Sequence, residues 1–97
     1  MAYIGYEQVA VAGVVVDFTS FTLPAGSATH VELQAETANI RYTMDGTVPT
    51  GTVGMLLING AGPLAFLIED LLTARFFGDG GAAAMLHVHY FTGRSIP

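Results

Sequence analysis

The sequence predicts an all-β protein, a compact antiparallel β-sandwich of seven or eight strands. Three observations carry this. Short runs of β-branched and aromatic residues recur at even spacing, separated by Gly-, Pro-, Asn- and Asp-rich turns. Thr29 to Ala35 and Ala83 to Phe91 alternate apolar and polar residues with the two-residue period of a half-buried strand. Asp45-Gly46, the dipeptide that accepts the positive φ of a tight turn, stops the run Asn39–Thr43.

Taken in order, Val9 and Val11 and then Val14 to Val16 flank Ala12-Gly13, which predicts a strand, a turn or bulge, and a second strand. Thr19 to Thr22 is a short β-prone stretch, closed by the turn chemistry of Leu23-Pro24-Ala25-Gly26-Ser27. In Thr29 to Ala35, Val31, Leu33 and Ala35 are expected to face the core, and His30, Glu32 and Gln34 to face out. Ile40 and Tyr42 share one face of the next strand, with Asn39, Arg41 and Thr43 on the other. Pro49 lacks a ladder donor, so Thr47 to Thr50 must leave the sheet or run along its edge. A strand over Gly54 to Ile58 ends at Asn59-Gly60-Ala61-Gly62-Pro63.

Leu64 to Phe77 reads two ways. Its Leu, Ala and Glu content suits a helix of about three turns. The all-β context favours two strands, Leu64–Ile68 and Thr73–Phe77, joined at Glu69-Asp70. Gly78-Asp79-Gly80-Gly81 is a turn, and in the last strand Met85, His87, His89 and Phe91 share a face. The 97 residues make one domain without internal repeat or linker, with short arms expected at 1–8 and 93–97.

Charge is scarce. Charged residues make up 11% of the chain, against about 25% in ordinary soluble domains. Arg41, Arg75 and Arg94 are the fixed cations, the net charge is −5, and mean hydropathy is +0.53. A folded chain of 10.2 kDa exposes roughly 5,000 Å². Eleven charges cover that thinly, so covering by neighbouring subunits is expected. With no cysteine there is no disulfide to staple so small a core, and oligomerisation is the expected substitute. The acidic balance and lack of a basic cluster argue against nucleic-acid binding. The longest apolar run, Val9–Val16, is too short for a spanning helix, the length is too small for a monomeric porin-type barrel, and Met1–Gln8 lacks signal-peptide character.

Candidate sites are few. His87 and His89, two apart on a strand, point the same way about 7 Å apart. With His30 they could be drawn as a three-histidine zinc site, but nothing in the spacing brings His30 near and no neighbouring carboxylate stands out, so no metal is expected. Asp45 stands as a lone carboxylate among threonines and predicts an Asx turn rather than a calcium loop. Glu69 and Asp70 are adjacent and on a strand would face opposite ways. No nucleophile elbow or phosphate loop is present; Gly78-Asp79-Gly80-Gly81 lacks the Lys-Ser/Thr that would follow. The expectation is a protein without enzymatic activity or cofactor. Tyr3 and Tyr6 suit an N-terminal arm docking on a neighbour, because Tyr buries area at low entropic cost. Arg41 and Arg75 suit carboxylate pairs within the subunit or across a contact. Tyr3, Tyr6, Arg41, Arg75, His87 and His89 are therefore the expected interface residues.

Arg41-Tyr42-Thr43-Met44-Asp45-Gly46-Thr47-Val48-Pro49-Thr50, followed by a Gly and the apolar Val53-Gly54-Met55-Leu56-Leu57, resembles a signature of small bacteriophage virion proteins. The resemblance extends to Leu23–Glu36 and to the closing strand Ala82–Phe91 with its Val-His-Tyr-Phe end. Proteins of this kind are similar to capsid cement, or decoration, proteins. The resemblance implies a β-sandwich, often a homotrimer, that sits on the head surface of the virion, binds the major capsid protein and bridges capsomers. It also admits a tail, baseplate or fibre-base subunit. A similar Tyr-Thr…Asp-Gly…Pro-Thr hairpin occurs in sandwich modules appended to secreted glycosidases, which implies carbohydrate binding. Sugar platforms rely on exposed aromatics, and this chain has no Trp.

Overall fold

A computed structural model describes residues 2–22 and 28–93. Two four-stranded antiparallel sheets face each other, giving the expected sandwich. The strands are β1 (Ala2–Val11), β2 (Val16–Asp17), β3 (His30–Glu36), β4 (Ile40–Thr43), β5 (Met55–Leu57), β6 (Leu64–Leu67), β7 (Arg75–Gly78) and β8 (Ala84–Thr92). The first sheet has the order β1-β8-β3-β6 and the second β2-β7-β4-β5. The accessible surface of 5055 Å² matches that expected for a chain of this mass.

Alternation builds the core. Val31, Leu33 and Ala35 of β3 and Leu86, Val88 and Tyr90 of β8 turn inward from the first sheet. Ile40 and Tyr42 of β4, Leu57 of β5 and Phe76 of β7 meet them from the second. His30 keeps its outward place in the register, with Glu32 and Gln34, yet it is buried. It pairs in register with Leu67 on one side and Phe91 on the other, so neighbouring side chains of its own face cover it. Its Nδ1 shares a hydrogen bond with the Thr29 hydroxyl at 2.7 Å.

The N-terminal segment is not an arm. Residues 2–11 form β1, paired along its length with β8 from Ala2↔Thr92 to Val11↔Ala84. A bulge between Tyr3 and Gly5 interrupts the register. Of the C-terminal segment, 94–97, Arg94 among them, lie outside the described residues, as does the turn expected at 23–27.

Leu64–Phe77 combines both expectations. Its strands are β6 and β7, but the expected turn at Glu69-Asp70 is a short helix, α1 (Ile68–Thr73). The reason is topological: β6 belongs to the first sheet and β7 to the second, so the link must cross the end of the sandwich. A hairpin would leave both strands in one sheet. The helix places Leu71 fully inside the core, and the Thr73 hydroxyl donates to the Met44 carbonyl at 2.6 Å. Thr19–Thr22 likewise is not a strand. Phe18–Ser20 form a 3-10 turn capped by Asp17, whose Oδ1 accepts from the Thr19 N–H at 3.0 Å.

Asp45 forms the expected Asx turn, its Oδ1 accepting from the Thr47 N–H at 3.0 Å. Hydrogen bonds from the Thr47 hydroxyl and N–H hold its carboxyl below the usual range. Gly46 has φ 84°, and a Cβ there would meet nothing within 4 Å. Its glycine is therefore required by conformation and not by space. Gly46→Val is expected to cost about 1–3 kcal/mol, because a β-branched residue strongly disfavours that φ. A thermal melt checks this, and an unchanged midpoint would refute it.

Candidate functional site

The outer face of the first sheet gathers four of the six expected interface residues. Register places Tyr3 opposite Phe91, Tyr6 opposite His89, and Gln8 opposite His87. On the other side of β8, Glu32 lies opposite His89 and Gln34 opposite His87. The bulge in β1 makes this possible. Strict alternation would send Tyr3 and Tyr6, three residues apart, to opposite faces. The extra residue, Ile4, restores them to one.

Aromatic contacts order the upper half of this face. The Tyr3 and Tyr6 rings meet His89 edge-on at 5.4 and 5.0 Å, and Tyr3 also packs edge-on against Phe91 at 6.1 Å. The tyrosines nevertheless remain 56% and 45% exposed. They are rigid, half-open aromatic surfaces on a paired strand, which is the condition under which tyrosine anchors a contact with little entropy left to lose.

A polar chain orders the lower half. The Gln8 amide donates to the Tyr6 hydroxyl at 2.9 Å, and that hydroxyl is bonded to His87 Nδ1. The opposite ring nitrogen, Nε2, is 2.8 Å from Glu36 Oε1. A neutral imidazole with its proton on Nε2 satisfies both contacts, donating to Glu36 and accepting from the phenol at Nδ1. The stacked Tyr6 and His87 rings, 5.8 Å apart, hold the imidazole plane. The order hydroxyl, imidazole, carboxylate suits holding a proton in place on an open sheet. Its clear effect is to present a fixed pattern of donors and acceptors beside the tyrosines. Glu36 is also the carboxylate partner that the sequence did not reveal for His87.

Arg41 and Arg75 lie elsewhere, on the outer face of the second sheet. Arg41 is opposite Phe77, and Arg75 is opposite both Asp17 and Thr43. Arg41 is engaged within the chain: its Nε donates to Asp79 Oδ1 at 2.9 Å and its Nη1 to the Gly54 carbonyl at 3.1 Å. The expected carboxylate pair is thus internal, and it ties β4 to the turn after β7. The Asp17 carboxyl is held low chiefly by the Thr19 hydroxyl and N–H, with a smaller contribution from the Arg75 charge. His30, the third histidine of the zinc possibility, lies on the face of His87 and His89 but opposite Phe91, beyond His89, where it is buried with its Nδ1 on the Thr29 hydroxyl.

The chain matches no family model, no curated protein and no solved structure. The reading of function therefore rests on the surface just described and on the motif resemblance of Arg41–Thr50. Nothing local marks Glu7 and Glu36 as partners of Tyr90 and His87, because those residues lie on β8, distant in the chain, and pairing across a sheet has no local signal.

Proposed function

We propose that this chain is a non-enzymatic structural protein of a phage virion, a capsid cement protein on the head surface that works as a homotrimer bound to the major capsid protein. The observation that carries the reading is the outer face of the first sheet. Tyr3 and Tyr6 are held half-exposed on a rigid strand, beside an ordered polar chain, in a molecule with 11% charged residues. The resemblance of Arg41–Thr50 to a signature of virion proteins supports the same reading. Such a face binds through apolar contact and fixed hydrogen bonds spread over a broad area, and exposed ion pairs would add only about 0–1 kcal/mol each.

Attachment to heads is therefore expected to survive high salt, where charge-steered contacts are screened. Changing both Tyr3 and Tyr6 to Ala should lower the number of copies retained on particles by roughly tenfold or more, as loss of central aromatic anchors does. The measurement is copies per head at low and high salt, together with the temperature at which heads rupture. Heads lacking the protein that rupture at the same temperature would sink the cement assignment, and recovery of the protein in isolated tails would put a tail or baseplate subunit in its place. The mixture of tyrosines with Gln8, Glu32 and Gln34 on one face also favours a second reading, carbohydrate binding, which retention on a polysaccharide column would support.

A further inference from the structure

The two sides of the sandwich treat their edges differently. On one side β1 carries a bulge and turns Glu7 toward the interior, and β2 is two residues long. These are devices that discourage a further strand from pairing. On the other side β5 and β6 are the edges, and among the described residues no further strand pairs with either. No charged residue occurs between Asp45 and Glu69, the whole stretch that contains both strands.

This rim is apolar and continuous. Tyr42 pairs in register with Met55 of β5, and its ring meets Phe66 of β6 edge-on at 5.7 Å. The two sheets therefore touch across the rim, with Met55 and Leu64 at its lip, 65% and 40% exposed. Val53, Leu56, Ile58 and Leu67 are also exposed along it. Each of these six residues leaves between 39% and 65% of its surface open, and apolar side chains of this kind supply the buried core of a protein–protein interface.

We propose that the β5–β6 rim is where a second copy of this chain docks. The occupant follows from charge. Each molecule carries −5, so copies repel unless they meet where neither has charge, and this uncharged stretch supplies such a surface. A surface without charge is complementary to itself and offers nothing to select a charged partner. β5 and β6 belong to different sheets, so β6 of one copy can extend the second sheet of the next, a head-to-tail contact that rotational symmetry closes into a ring. Because both strands are short, apolar side chains supply most of the contact and backbone pairing sets its register. The proposal rests on the rim and is independent of attachment to a virion.

The test is the mass of the purified protein by light scattering and sedimentation across micromolar concentrations. The wild type should exceed the monomer mass of 10.2 kDa. Met55→Glu and Leu64→Glu, each placing a carboxylate on an already exposed position, should raise the dissociation constant at least about 30-fold, by burying unpaired charge. Val14→Glu, which places the same charge on an exposed position between β1 and β2, away from the rim, should leave the mass unchanged. Circular dichroism establishes that each variant is folded. Should the rim variants fail to fold, hydrogen exchange of the β5 and β6 amides in the wild type serves instead, with protection expected to rise with concentration. A monomeric wild type, folded rim variants of unchanged mass, or concentration-independent exchange would each overturn the proposal. A chain that assembles through the rim yet is absent from heads would refute the virion reading alone.

Discussion

Gly78→Ala is expected to destabilise the sandwich by about 3 kcal/mol or more, beyond the usual cost of overpacking. The cause is space. Gly78 ends β7 at φ −62° and ψ 131°, a conformation any residue adopts. A Cβ there would lie 1.9 Å from the Ala82 carbonyl oxygen and 3.1 Å from that of Ala12. Both obstacles are backbone and cannot swing aside as a side chain would. The Gly78 N–H donates to the Ala12 carbonyl at 2.7 Å, so the end of β1, β7 and the turn before β8 are locked at this one point. Relieving the clash means giving up that bond or moving the turn that positions Asp79 against Arg41. For a domain of this size each kcal/mol shifts the melting temperature by about 4–8 °C, so a fall of more than ~10 °C is expected. A melt within a few degrees of the parent would show that the joint is slack. Gly46 is the converse case, with open space around it and a positive φ, and its substitution is expected to cost less.

The contrast between these glycines bears on what the sequence makes legible. Asp45-Gly46 is readable because its turn is local: the carboxylate, the positive φ and the capped N–H lie within three residues. The inward faces of β3 and β8 are readable for the same reason, since two-residue alternation is a property of one strand. Gly78 reads from the sequence only as the start of a turn, because Ala12, sixty-six residues away, supplies the backbone that constrains it. His30 obeyed the alternation rule on paper and is buried by Leu67 and Phe91, which only the pairing of three strands brings beside it. In β1 a single extra residue changes the parity, so Tyr3 and Tyr6 read as parts of an arm but form one aromatic surface. Local chemistry specifies the elements here, whereas the candidate site is made from strand order and register.

The largest polar effect is expected from Glu7. On β1 this carboxylate accepts hydrogen bonds from the Tyr90 hydroxyl and, at 2.8 Å, from the Thr22 N–H. Tyr90 is among the largest fully buried side chains, so its hydroxyl depends on that partner. Glu7→Ala leaves the hydroxyl without its acceptor inside the sandwich and should cost about 2–3 kcal/mol. Tyr90→Phe removes the donor instead and should cost about 1 kcal/mol. The double variant should then cost less than the two together by about 1 kcal/mol or more, the coupling expected of groups in direct contact. Alkaline pH provides a second readout. Burial, then the hydrogen bond to Glu7 and its charge, raise the phenol's pKa well above its ordinary 10.0. The folded chain thus keeps this proton to higher pH than the unfolded chain does. Below about pH 10 both states are protonated and the group adds no pH dependence; above it the folded state binds more protons, so stability falls as pH rises. Urea midpoints measured from pH 9 to 11.5 should show that decline in the wild type and a flatter one in Tyr90→Phe. Equal slopes in the two proteins would mean that the hydroxyl reaches solvent and that Glu7 is not its anchor.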